Sequence, residues 1–183
     1  LNLAGIGKIV GALIASPVVA ILTGCLVMNL LFLTCGRASP HTVNNRFRKL
    51  QILSAASMAF SHGSNDAQKS MGIITLALVS GGYLDVFEVP FYVKFLCATA
   101  MACGTAIGGW RIIRTIGGKI FKLEPISGFA ADLNSSAVIF TATLLHLPVS
   151  TAHVVSGSIM GVGTAKRVNA VRWGVAQHCL PHF

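Results

Sequence analysis

The stretch His62-Gly63-Ser64-Asn65-Asp66-Ala67-Gln68-Lys69-Ser70 is a polar island between two apolar runs, residues 50–61 and 71–82. Either run alone is too short to span a bilayer, which takes about 20 residues of helix, but with the island they are long enough together. The island is therefore predicted to lie inside the membrane.

Asp66 is expected to be functional at that depth, because an ionisable group in hydrocarbon costs roughly 2.5–3.5 kcal/mol unless it faces a partner or a wet cavity. Gly63 lets the backbone leave helical geometry, and Ser64, Asn65 and Asp66 are good helix N-caps. The island thus predicts the break of a discontinuous helix, whose exposed N–H groups would hold an anion. The alternative is a solvent loop in a soluble protein, with Asp66 as a cap.

The composition favours a membrane protein over a soluble one. Of the 183 residues, 54% are hydrophobic and 10% charged, against about 25% charged in soluble domains. The formal charge of +9 does not indicate nucleic-acid binding, because the basic residues cluster between apolar runs, as expected of cytoplasmic loops. The five cysteines are odd in number and mostly lie in or beside apolar runs, so we interpret them as small hydrophobic residues.

Basic clusters between the apolar runs predict which loops face the cytoplasm. These clusters lie at residues 37–49, 111–122 and 166–172. Three crossings alternate with them: Ile9–Cys35, residues 50–80 with the island at their centre, and Phe95–Trp110. Ser39-Pro40 and Asn44-Asn45 are expected to break the structure within the first cluster.

Residues 124–166 must cross the membrane an even number of times, because basic clusters flank them on both sides. Two full spans would satisfy this condition. A re-entrant hairpin is favoured, because its downstream arm, residues 152–162, is short for a span. Its tip is marked by residues 147–151, where Pro148 lacks an N–H and Ser150 with Thr151 can cap a restarting helix.

A second set of polar groups lies on this predicted hairpin. If it meets the island at mid-membrane, the two supply hydroxyls, amides and helix N-termini for an oxyanion, and carboxylates for a cation. A coupling ion is therefore implied, although serine and threonine in membrane helices also bond back to their own backbone. The set comprises Asp132, Asn134, Ser135 and Ser136 on the rising arm, and Ser150, Thr151, His153 and Ser156 around the tip.

Two stretches resemble the motifs of one family, the inorganic phosphate transporters of the PiT type. Residues 62–72, from His62-Gly63-Ser64-Asn65-Asp66 to Met71-Gly72, are similar to the Gly-X-Asn-Asp motif of the second half of these transporters. Leu147-Pro148-Val149-Ser150-Thr151-Ala152-His153, followed by residues 157–163, resembles their second motif. The resemblance runs from about the first span to Trp173.

The resemblance implies an all-α integral membrane protein that forms one half of an inverted-repeat secondary transporter, with a discontinuous helix and a re-entrant hairpin. The implied function is low-affinity-type symport of inorganic phosphate across the cell (inner) membrane, driven by a proton or sodium gradient, in a multi-pass protein that is not an enzyme. The implied site is formed at the broken helix, residues 63–70, and the hairpin tip, residues 148–153. The implied partners are phosphate, the coupling cation, an N-terminal half and the lipid bilayer, with a homodimer left open. Neither a cofactor nor nucleic acid is expected.

The same resemblance implies a set of site residues. By position, Asn65 and Asp66 fall on the substrate and ion site, and Ser150 and Thr151 on the phosphate-binding tip. The complete expected set is Ser64, Asn65, Gln68, Ser150 and Thr151 for the substrate, with Asp66 and Asp132 for the coupling ion.

The chain also departs from the family pattern. It carries one Gly-X-Asn-Asp motif, which predicts a C-terminal half over residues 1–176. Asp132 and Asn134 stand where the family usually has Glu followed by a small residue. Residues 177–183 are expected to be a divergent or truncated tail. Metal binding by His178, Cys179 and His182 in that tail is disfavoured, because a fourth ligand is missing from the sequence around them.

Two alternative functions stay open from the sequence. One is an inactive fragment or a non-transporting membrane subunit derived from such a transporter. The other is a membrane hydrolase in which Ser150, His153 and Asp132 serve as nucleophile, base and orienting group.

The basic clusters generate a topological prediction. Single cysteines at Ser39, Lys119 and Lys166 should react with a membrane-impermeant label only from the cytoplasmic side, and a cysteine at Asp85 only from outside. Labelling of Lys166→Cys from outside would contradict the even number of passes.

Overall fold

The computed structural model describes residues 3–35, 40–115, 124–145, 147 and 149–166. Within these ranges all regular secondary structure is helical, as the sequence predicts. The predicted tail, residues 177–183 with its two histidines and Cys179, lies outside the described residues. The helices are α1 (Leu3–Cys35), α2 (Pro40–Ser80), α3 (Phe91–Thr115), α4 (Pro125–Leu144) and α5 (Thr151–Lys166).

Two of the five helices are long and apolar enough to cross a membrane. They contain the spans Ile9–Cys35, of 27 residues, and Phe91–Gly109, of 19 residues. Within the most apolar 18 residues of each span, only 17% of the first and 11% of the second are buried within the chain. A core helix of a soluble protein would be mostly buried, so these apolar surfaces fit a lipid environment instead. Of the three expected crossings, the first and the third are thus confirmed as helices with the composition of membrane spans. The second, residues 50–80, lies within α2, which does not pass the same test of hydropathy, so its crossing stays a prediction.

The predicted break in the second crossing is wrong, because α2 is one unbroken helix through the polar island. The backbone stays helical at Gly63, and a Cβ added there would have nothing within 4 Å, so no close approach requires glycine at this position. Asp66 therefore does not cap a helix start. Its carboxylate is satisfied by side chains one turn away on the same helix, His62 and Lys69.

The helix α2 also begins earlier than the sequence suggests. Pro40 is its first residue, a position where proline is tolerated because the N–H it lacks has no helical partner. Asn44 and Asn45 lie inside the helix, so they do not break it. The end of α2 is well defined, because Gly82 has a φ of +73° and the N–H of Tyr83 bonds to Leu78 O at 3.0 Å.

The helices α4 and α5 form the predicted hairpin, joined by residues 145–150, of which 146 and 148 are not described. At its open end Lys166 Nζ lies 2.7 Å from Glu124 Oε1, so the start of α4 and the end of α5 are neighbours. The two arms thus return the chain to the side from which it entered. The depth of the hairpin in a bilayer stays a prediction.

The packing core lies between α1, α4 and α5. Glycine makes the approach of α1 to α5 possible, because a Cβ on Gly161 would collide with the backbone of Ile21, and one on Gly157 would lie 2.9 Å from Pro17 O. Asn134 of α4 joins both helices by donating to Ala20 O at 2.9 Å and to Ser158 Oγ at 2.8 Å. The hairpin is therefore held firmly against the first span.

A row of polar contacts fixes α2 against α4, and its order shows that the two helices run in the same direction. Ser54 donates to Asp132 Oδ2 at 3.4 Å, Ser61 and Ser136 share a hydrogen bond of 3.1 Å, and Asn65 donates to Thr143 Oγ1 at 3.2 Å. Parallel packing of α2 and α4 agrees with the predicted topology, in which both helices start from the cytoplasmic side.

The register of α2 against α4 predicts which engineered cysteine pair can form a disulfide. In a variant without the native cysteines, Ser61→Cys with Ser136→Cys should cross-link under mild oxidation, because their side-chain oxygens are already 3.1 Å apart. The matched pair Ser54→Cys with Ser136→Cys should not cross-link, because Ser54 lies about 10 Å before Ser61 along α2, at about 1.5 Å per residue. Mass spectrometry of the digested protein distinguishes the two. A cross-link in the second pair alone would show that the register is wrong.

Candidate functional site

The Asp66 carboxylate is the centre of a compact group of polar contacts between α2 and the hairpin tip, which we call the tip cluster: His62, Asp66, Lys69, Thr151 and the carbonyl of Val149. Asp66 Oδ2 lies 2.9 Å from His62 Nε2 and accepts a 3.2 Å hydrogen bond from Thr151 Oγ1. Asp66 Oδ1 accepts from Lys69 Nζ at 3.0 Å. Both carboxylate oxygens are therefore satisfied within the protein.

Helical spacing positions this cluster. His62 and Lys69 stand four residues before and three residues after Asp66, so an unbroken helix presents all three on one face. Lys69 reaches further and donates to Val149 O at 3.1 Å. The carboxylate side chain is 26% exposed and the other two 46% each. The cluster is thus partly open to its surroundings.

Asn65 sits beside the tip cluster and is buried. Its Nδ2 donates to Thr143 Oγ1 near the end of α4, whereas its Oδ1 has no hydrogen-bond partner among the described residues. A buried amide oxygen without a partner costs free energy, about 1–3 kcal/mol in typical cases. Asn65 therefore offers an unused acceptor at the position where the sequence predicts substrate contact.

The hairpin contributes the start of α5 to the same place. Thr151 is the first residue of that helix, and the N–H of Val154 bonds to Ser150 O at 3.1 Å. The N–H groups of the first turn have no partner inside a helix, and the helix dipole makes this end positive. The positive end of a helix thus lies next to the Asp66 carboxylate, at the hairpin tip where the sequence predicts one, whereas the second helix start expected at the island of α2 is not found.

Ser64, Gln68 and Ser150 make no side-chain hydrogen bond within the described part of the chain. Ser64 and Ser150 are half-buried and Gln68 is exposed. Their contribution to a site stays a prediction from the sequence. Among the expected substrate residues that the structure describes, Thr151 is the one whose side chain is hydrogen-bonded to Asp66.

Asp132 is separated from the tip cluster. Its carboxylate accepts a hydrogen bond from Ser54. At about 1.5 Å per residue, Asp132 lies about 18 Å along α4 from Leu144, and Ser54 lies about 18 Å along α2 from Asp66. The two predicted coupling-ion carboxylates are therefore not brought together, because they occupy the same parallel helix pair at different heights. Ser61 and Ser136 lie between them.

Sequence reasoning missed His62 and Thr143 as members of the site and its border, and it counted Lys69 among the polar residues of the island without giving it a role. The signal for His62 and Lys69 was their spacing of four and three residues from Asp66, which becomes visible only when the island is taken as helix. Thr143 carries no local signal, because its contact with Asn65 depends on how α2 packs against α4.

Residues 34–181 match the sequence profile of the phosphate transporter family. A "Probable low-affinity inorganic phosphate transporter" of Bacillus subtilis (strain 168) is 48% identical over 98% of this chain and 54% of its own length. A protein of the same description from Rhizobium meliloti (strain 1021) is 46% identical over 94% of this chain and 52% of its own. The chain thus spans about half the length of the curated relatives it matches.

A solved structure described as "The sodium-dependent phosphate transporter" has the same fold. It superimposes with a TM-score of 0.83 at 22% identity, over 96% of this chain and 61% of that one. The similarity of fold and the match of the family profile agree with the two motifs that carry the resemblance. The chain belongs to the phosphate transporter family, a family of membrane transporters and not of enzymes.

Proposed function

We propose that this chain takes part in symport of inorganic phosphate across the cell membrane, driven by a cation gradient, and that the tip cluster is its contribution to the transport site. Family membership supports phosphate as the substrate. The single observation that carries the location is the 3.2 Å hydrogen bond from Thr151 to Asp66, which joins the two motifs in space.

The phosphate is proposed to bind at the start of α5. The N–H groups of the first helical turn and the positive end of the helix dipole would stabilise an oxyanion there without requiring a permanent cage of basic residues. Thr151 and Ser150 would add hydroxyl groups, and Asn65, Ser64 and Gln68 lie on the neighbouring part of α2. When phosphate binds, these polar side chains would rearrange so that they contact the phosphate oxygens.

The coupling cation is proposed to bind at Asp66. A carboxylate beside an anion site repels phosphate unless a cation lies between them, so charge balance links binding of the two solutes. The solved structure with the same fold is described as sodium-dependent, which supports sodium for this chain as well. Asp132 is proposed as a separate, second cation residue, because its carboxylate lies far from the tip cluster.

We propose that other residues of the site come from a second half of the transporter, because the relatives are about twice as long as this chain. Large hydrophobic side chains are exposed on every described helix except α5, which leaves ample surface for lipid and for that other half. A homodimer stays a prediction.

The hydrolase alternative loses support from the position of Asp132. At about 1.5 Å per residue it lies about 18 Å from the end of α4, whereas Ser150 and His153 lie at the start of α5, beside that end. A carboxylate that orients a histidine must be within hydrogen-bond reach, so Asp132 does not complete such a triad.

Replacement of one carboxylate tests the proposal. In the full-length protein, Asp66→Asn keeps the size of the side chain but removes its charge, so gradient-driven phosphate uptake should fall to the level seen without a gradient. The measurement is uptake of radiolabelled phosphate into proteoliposomes with and without an imposed sodium or proton gradient, after protein amount and insertion have been matched.

Asp132→Asn is the matched comparison, because it removes a carboxylate at the other end of the α2–α4 contact. It should leave phosphate affinity at the tip cluster unchanged even where it alters coupling. Gradient-driven uptake at the wild-type rate in Asp66→Asn would remove Asp66 from the mechanism.

A further inference from the structure

The ammonium group of Lys69 lies between two oxygen atoms that come from different parts of the fold. Its Nζ donates to Asp66 Oδ1 at 3.0 Å and to the carbonyl oxygen of Val149 at 3.1 Å. The Val149 side chain is buried in a hydrophobic cluster with Ile139 and Val154, which fixes the position of its carbonyl. A carboxylate and a backbone carbonyl are also the ligands that hard metal cations take in proteins and transporters.

We propose that Lys69 is a tethered cation that holds the cation position beside Asp66, and that a sodium ion binds there by displacing it. The inference rests on the proposed function, since it describes how the cation position of the same site is occupied and exchanged. Lys69 thereby becomes a determinant of sodium affinity, although it is not itself a sodium ligand.

The geometry favours a metal cation over a proton as the competitor. When Lys69 leaves, two oxygen atoms lose a hydrogen bond, one on Asp66 and one on Val149. A proton on the carboxylate would compensate Asp66 alone and leave the carbonyl without a partner, at a cost in free energy. A sodium ion satisfies both oxygens at once, because each can serve as a ligand.

The side chain of Lys69 is suited to such an exchange. Its charge is a compact ammonium on a flexible four-carbon stem, and 46% of the side chain is exposed. It can therefore withdraw into the open part of the cluster while α2 stays in place. His62 and Thr151 both contact the other carboxylate oxygen, Oδ2, and so hold Asp66 in position during the exchange.

Direct sodium binding tests the inference. Equilibrium binding of radioactive sodium to purified full-length protein is measured at fixed pH without phosphate. Lys69→Met keeps the length of the side chain but removes the competing charge, so the half-saturating sodium concentration should fall by about two- to fivefold, as expected for loss of a partly exposed ion pair. Lys69→Arg retains the charge and should show no such fall.

Two further variants complete the experiment. Lys94→Met is the matched control, because Lys94 is an exposed lysine on α3 that forms no ion pair among the described residues, and it should bind sodium like the wild type. Lys69→Gln serves as a second uncharged variant if Lys69→Met gives too little folded protein, and the same fall is expected.

Unchanged or weaker sodium binding in Lys69→Met and Lys69→Gln overturns the inference, as does the lack of sodium binding in wild type and variants alike. Phosphate uptake by the same preparations separates this result from the proposed function. Tighter sodium binding without any phosphate uptake leaves the inference standing and removes the transport proposal. Sodium-driven uptake whose half-saturating sodium concentration does not move in the variants removes the role of Lys69 alone.

Discussion

The structure depends on the need to satisfy one carboxylate in the middle of the long helix α2. Asp66 lies inside the predicted second crossing, residues 50–80, where an unpaired charge would be expensive. The protein meets this requirement with three donors, of which His62 and Lys69 come from the same helix and Thr151 comes from the hairpin. The carboxylate thus ties the hairpin tip to α2 and creates the site where the two motifs meet.

The packing on the opposite side of the hairpin makes that tie effective. Gly157 and Gly161 let α5 approach the backbone of α1 closely, and Asn134 bonds to both helices. The hairpin is thus packed against α1 on one side while its tip contacts α2 on the other. Within the tip cluster, Lys69 has a long and partly exposed side chain.

The sequence predicts much of this arrangement and fails where tertiary contacts decide. The spans at Ile9–Cys35 and within α3, the hairpin and its tip follow from hydropathy, charge and turn residues. The predicted break at the island is wrong, because α2 continues through Gly63 and pairs Asp66 with His62 and Lys69 along the same helix. The separation of Asp132 from Asp66 could not be predicted, since it depends on the parallel register of α2 and α4.

The central claim is that Asp66 and Thr151 act as one unit in ligand binding. A double-mutant cycle tests it most directly, with Asp66→Asn, Thr151→Val and the double variant of the full-length protein, each measured by equilibrium binding of radiolabelled phosphate in the presence of sodium. The two changes should be non-additive, with a coupling of about 0.5–3 kcal/mol, as for residues in direct contact. Additivity within about 0.5 kcal/mol, the behaviour of independent positions, would contradict the account.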